Sequence, residues 1–260
     1  MSFSFEGCEL SYDDQGSGPA VVLLHGAGMD RTMWEPQAQF LLERGHRVVA
    51  WDARLHGRSR PSARPVTARQ LVDDLVALIR HLGLEAPILI GQSMGGNLAQ
   101  AVVRAHPDIA SALVVIDSTW NTGPLSRFER WALGLAAPAI SLVPAGTLPG
   151  MMAKASAASD AVVAEATEVF ARMPKRDFIE VWRATTEFVA PDPQYRTPVP
   201  LLLIRGALDR TGNIRTAMPA WAAAERVAEH VVPEAGHLAN LDAPDAVNEL
   251  IGGFLRAVRT

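Results

Sequence analysis

The chain has 260 residues, 48% of them apolar and 20% charged, with a formal net charge of −4 and a pI near 6.0. That length holds one large α/β domain with an insertion, and the acidic balance argues against nucleic acid or another polyanion as partner. A single cysteine, Cys8, excludes an intrachain disulfide, and no Cys/His spacing resembles a zinc site, so no metal is expected.

The first residues read as a β-hairpin, with Phe3-Ser4-Phe5 and Cys8 to Tyr12 joined by a turn at Glu6-Gly7, followed by a polar loop from Asp13 to Pro19. The opening segment lacks a basic region and a long apolar run, so no signal peptide is expected. Val21 to Leu24 is a β-branched apolar strand ending in His25-Gly26-Ala27-Gly28. A helical segment through Met33, Phe40, Leu41 and Leu42 closes at Gly45. Arg47 to Trp51 is the next strand. Asp52 then opens a loop with Arg54, Arg58, Arg60 and Arg64, which reads as a solvated face. Thr67-Ala68-Arg69-Gln70 has the form of a capping box, starting a helix with Leu71, Leu75, Leu78, Ile79 and Leu82 on one face.

Ile88-Leu89-Ile90 is a short buried-strand pattern, and Leu113 to Ile116, ending at Asp117, is another. From Ser118 to about Pro198 no strand pattern appears. Helical spacings recur instead at Phe128, Trp131 and Leu135, at Val162, Ala166, Val169 and Phe170, and at Phe178, Val181 and Trp182. Strands resume at Val199 to Ile204 and at Arg226 to Val232, with a helix over Met218, Trp221 and Ala222 between them and a C-terminal helix from near Pro244. Alternating strands and helices predict a mostly parallel sheet covered on both faces. The expected organisation is a core of 1–117 and 199–260, with a helical cap of 118–198 inserted after the sixth strand. The most apolar stretch, Trp131 to Met152, is interrupted by Pro138, Pro144 and Pro149, which suits no membrane span. A cytoplasmic location is the expectation from these absences.

Gly91-Gln92-Ser93-Met94-Gly95-Gly96 lies between a strand and a helical pattern. A serine at the apex of such a strand–turn–helix is lifted clear of the backbone, in a turn that Cβ atoms at the glycines would block. A serine hydroxyl is a poor nucleophile at neutral pH and needs a base, which in turn needs an orienting carboxylate. Among the histidines, His237 follows the last strand in a loop after Gly236, and Asp209 follows a strand at the same sheet edge. Ser93, Asp209, His237 is the chain order of this class of hydrolase, with Asp117 the second choice of acid. The oxyanion formed on attack needs two backbone N–H donors, assigned to Met94 and Ala27. Gly26-Ala27-Gly28 does not read as dinucleotide-binding, because Arg31 stands where a third glycine is required.

His25-Gly26, Asp52 with His56-Gly57-Arg58-Ser59, the Gly91 to Gly96 motif, Asp209 and Gly236-His237 together resemble the α/β-hydrolase family, in its branch with a helical cap. The resemblance spans the chain and implies an eight-stranded, mostly parallel sheet, a cofactor-free serine hydrolase and a small-molecule substrate, acting as a monomer or homodimer. Many relatives carry glycine where Leu55 stands. The resemblance does not choose the substrate. Hydrolysis of a carboxylic ester or lactone through an acyl-enzyme leads. C–C bond hydrolysis or perhydrolysis on the same residues, or a ligand sensor with residual hydrolase activity, are the alternatives. Met29, Trp34, Trp120, Phe128, Trp131, Trp182 and Leu238 are candidate walls of an apolar pocket for a small to medium substrate.

Overall fold

The N-terminal hairpin forms between β1 (Ser2–Phe5) and β2 (Cys8–Gln15), which pair antiparallel. β2 runs three residues into the expected loop, because Asp13 to Gln15 pair with Ala50 to Val48 of β4 (Arg47–Trp51). Polar strand residues persist there because Arg47 clasps Asp14 and Arg31 binds Asp13. The computed structural model describes residues 1–258.

β3 (Ala20–Leu24), β5 (Ile88–Gln92), β6 (Ala112–Ile116), β7 (Leu201–Gly206) and β8 (Glu229–Val232) complete an eight-stranded sheet in the order β1-β2-β4-β3-β5-β6-β7-β8. From β4 to β8 every pairing is parallel. β3, β5, β6 and β7 are apolar along almost their whole length, as strands covered on both faces must be. α1 (Glu35–Leu42) and α10 (Pro244–Ala257) pack on one face; α2 (Ala68–His81), α3 (Met94–Ala105) and α8 (Ile214–Glu225) cover the other. β8 begins three residues later than its pattern suggested, because Arg226 sits in the left-handed region (φ +59°) as the cap of α8.

α2 buries Leu71, Leu75, Leu78 and Ile79. Thr67 accepts the N–H of Gln70 at 3.1 Å, but the reciprocal half of the box is not made. The Gln70 amide instead donates to Asp74, which grips the Arg54 guanidinium through two hydrogen bonds. Arg54 is therefore not a solvated residue: it is fully buried and also donates to the carbonyls of Phe5 and Glu6. An ion pair without water is tolerable only when its donors and acceptors are filled in this way. Leu55 adopts a left-handed φ of +67° and buries its side chain against the core.

Between β6 and β7 lie only helices: α4 (Arg127–Leu142), α5 (Leu148–Ser156), α6 (Asp160–Ala171) and α7 (Lys175–Glu187). α6 buries Val162, Ala166, Val169 and Phe170, and α7 buries Phe178 and Val181, as their spacing predicts. α4 departs from its pattern. Phe128 and Trp131 are 71% and 61% exposed, and Ala137 is its buried residue. Helical spacing identifies a face but not whether that face points inward.

Candidate active site

Register brings the carboxyl ends of the central strands level, with Leu24 opposite Gly91, Gln92 opposite Ile116 and Ile116 opposite Ile204. Residues just beyond those ends therefore meet above the sheet. Ser93 turns the chain from β5 into α3 with φ +51° and ψ −116°, a conformation costly for a residue with a Cβ. The close approach of α3 to the strands sustains it. A Cβ on Gly91 would strike the Gly95 carbonyl, and one on Gly95 would strike the carbonyl of Leu24. The Ser93 N–H donates to Ile116 O, and its carbonyl accepts the Ser118 hydroxyl at 2.8 Å.

His237 reaches the same point from the loop after β8. Its carbonyl accepts the Gln92 amide at 2.6 Å, and the Gly236 N–H donates to Asp242. Its Nε2 lies 2.9 Å from Ser93 Oγ, and its Nδ1 lies 3.0 Å from Asp209 Oδ2. With the proton on Nδ1 donated to Asp209, Nε2 accepts the Ser93 hydroxyl. Asp209 also accepts the Thr211 N–H at 2.8 Å. Burial alone would raise its pKa, but the His237 charge and the hydrogen bonds from His237 and Thr211 outweigh it and hold the carboxyl below its ordinary value.

Asp117, the second choice of acid, stands behind this chain rather than in it. Fully buried, it accepts the N–H groups of Gly206 at 2.7 Å and of Ala239 at 3.3 Å, tying the end of β7 to α9 (Ala239–Asp242) just after His237. Burial, then the neighbouring Asp209 charge, push its pKa well up, which favours its protonated form beside Asp209. These two carboxyls divide the work by environment.

The loop after β3 is held by two buried histidines. His25 Nε2 accepts the Ala53 N–H at 2.9 Å, and His56 Nε2 accepts the Gly28 N–H at 3.0 Å. Both must be neutral to accept, and burial lowers the pKa of each, that of His56 strongly. Asp52 accepts the N–H groups of Arg31 and Arg58 and pairs with the Arg31 guanidinium. Ala27 lines both cavities that reach Ser93. Met94 begins α3, where N–H groups have no carbonyl one turn earlier to bind.

Two cavities open onto Ser93. One, of about 620 Å³, is lined by Met29, Met152, Lys154, Phe170, Trp182, Arg210, His237 and Leu238 among others. The other, of about 320 Å³, is lined by Phe128, Leu133, Trp182, Val189 and Ile214 among others. Met29, Phe128, Trp182 and Leu238 thus face the site, whereas three expected walls do not. Trp34 is fully buried in the core on the α1 side of the sheet. Trp120 stacks on Trp221 at 6.4 Å beneath a separate cavity beside Arg104. Trp131 is exposed and lines neither cavity. Sequence reading missed Lys154, Arg210 and Thr211 altogether. The two cations carry no local signal beyond exposure, and only Thr211's place two residues after Asp209 hinted at a role.

Among the described residues no helix is long and apolar enough to cross a membrane. A family model described as "Alpha/beta hydrolase family" matches residues 21–250. The sn-1-specific diacylglycerol lipase ABHD11 of Mus musculus is 29% identical, over 95% of this chain and 85% of its own. 3-Oxoadipate enol-lactonase 2 of Acinetobacter baylyi is 23% identical, over 93% and 90%. A thermophilic esterase from Thermogutta terrifontis, solved with malate bound, superimposes with a TM-score of 0.83 at 27% identity, covering 100% of this chain and 97% of its own. With its mixed eight-stranded sheet, its inserted helices and a family match across most of its length, the chain belongs to the alpha/beta hydrolase family.

Proposed function

We propose that the protein is a serine hydrolase that cleaves a carboxylic ester or lactone through an acyl-enzyme. The observation that carries this reading is the unbroken chain from Ser93 through His237 to Asp209, at 2.9 and 3.0 Å. Ser93 Oγ attacks the carbonyl carbon while His237 Nε2 takes its proton, and Asp209 holds the imidazole and stabilises its charged form. The carbonyl oxygen becomes an oxyanion, received by the N–H groups of Ala27 and Met94. As the tetrahedral intermediate collapses, the C–O bond breaks and His237 returns the proton to the leaving alkoxide. Water, deprotonated by His237, then attacks the acyl carbon and releases Ser93. The lipase, esterase and enol-lactonase among the relatives support an oxygen-ester or lactone bond as the one cleaved.

The test is turnover of p-nitrophenyl butyrate by the purified protein. Ser93→Ala should lower kcat by about 10⁴-fold or more while leaving the thermal transition intact. Undiminished turnover in that variant would remove Ser93 from the mechanism. Slow turnover by the unaltered protein with a large ligand-induced rise in Tm would instead mark a sensor.

A further inference from the structure

The two cavities that meet at Ser93 differ in chemistry. The lobe beside His237 carries Lys154 and Arg210 as its only charged side chains, and no aspartate or glutamate lines it among the described residues. Both cations are exposed, and neither forms an ion pair among the described residues. The anionic group nearest the chemistry, Asp209, is sealed behind His237 with its side chain fully covered. In a chain with 28 acidic and 24 basic residues, this lobe is a local reversal of sign. The lobe under α4 is walled by Phe128, Leu133, Val189 and Ile214. Its one carboxylate, Glu129, is occupied by the Ser126 N–H and the Asn213 amide. Trp182 lines both lobes.

We propose that the site takes a substrate with two unlike ends, a carboxylate-bearing part in the Lys154 and Arg210 lobe and an alkyl or aryl part in the Phe128 lobe. The proposal rests on the hydrolase reading and names the substrate class: monoanionic esters, or lactones bearing one carboxylate. The field of the two cations, with no carboxylate in the lobe to oppose it, draws anions toward the cavity.

Matched esters test it. Monoethyl adipate places the carboxylate on the acyl side and 6-acetoxyhexanoate on the alcohol side; ethyl hexanoate and hexyl acetate are their neutral counterparts. At least one anionic ester should exceed its neutral counterpart in kcat/KM tenfold or more. That ratio should fall at least tenfold, mainly through KM, in Lys154→Ala/Arg210→Ala, and shrink with added salt. A neutral preference in both pairs, or an anionic preference that survives in the double variant, would overturn the proposal. Adipate binding to Ser93→Ala protein by calorimetry separates the two claims. Binding that disappears with the two cations, in a protein that turns over no ester, would sink the hydrolase reading and leave the anion lobe standing. Absence of adipate binding would overturn the lobe whatever the enzyme hydrolyses.

Discussion

The sheet edge and the inserted helices meet at the same cavity but are built to different tolerances. At the edge, backbone touches backbone. Gly95 lies on the Leu24 carbonyl, Gly206 on the Gly236 carbonyl, and buried Asp117, His25 and His56 fill their hydrogen bonds there. In the insertion, α4 keeps Phe128 and Trp131 largely in solvent, and Gly134 and Gly150 have open space where a Cβ would go. The contrast suggests a division of labour. Chemistry requires atoms fixed to within a fraction of an ångström, whereas enclosing an apolar group requires only surface of the right character.

The sharpest way to break this comparison is to add one methyl group to each region. Gly95→Ala should cost about 3 kcal/mol of stability, because the methyl meets backbone that cannot move without parting α3 from β3. Chemical denaturation would show the loss, and a change below 1 kcal/mol would mean that the edge is softer than its packing implies.

Asp117 tests whether the edge depends on its buried polar groups. Asp117→Ala leaves the Gly206 and Ala239 N–H groups without their acceptor and should cost about 2 kcal/mol or more. Asp117→Asn keeps an acceptor for Gly206 but turns an amide N–H toward that of Ala239, and should cost less than the alanine variant at pH 7. The sign of the pH effect supports this. Because the fold raises the Asp117 pKa above its unfolded value, the unfolded chain releases the proton first, above about pH 3.8, so this group lowers stability as pH rises. Asparagine removes that decline. Equal losses in the two variants, measured across pH 5 to 8, would contradict the protonated state.

The buried histidines have the opposite dependence. His25 and His56 are held neutral in the fold, while the unfolded chain protonates them below about pH 6.5. Stability should therefore fall on acidification from pH 7 to 5, by up to about 1.4 kcal/mol per pH unit for each. His56→Gln should flatten that slope, and an unchanged slope would assign the acid sensitivity elsewhere. The smallest effect belongs to the insertion: Gly134→Ala, exposed in α4, should stabilise by about 0.5–1 kcal/mol. A loss there would mean that α4 is packed against something as closely as the edge is.

The strands and most helices were legible because β-branched runs and 3.6-residue spacing report local preferences that the tertiary structure did not override. Ser93 was legible because only glycine fits around so sharp a turn. The loops were less so. Arg54 looked like a surface arginine until Asp74, twenty residues away, was found beside it, and Leu55 adopts the left-handed backbone expected of glycine. Trp34, Trp120 and Trp131 could not be separated from Trp182 in the sequence, since an aromatic side chain suits a core, a pocket wall or a surface equally.

What the sequence determined by itself was the fold class, because hydrophobic period and turn chemistry act over a few residues. Which aromatics face the cavity, how Asp117 comes to tie β7 to α9 and which cations line the cavity at Ser93 were decided only by the folded chain. Those relations join residues scores of positions apart, and they depend on strand register and on how the inserted helices lie over the sheet.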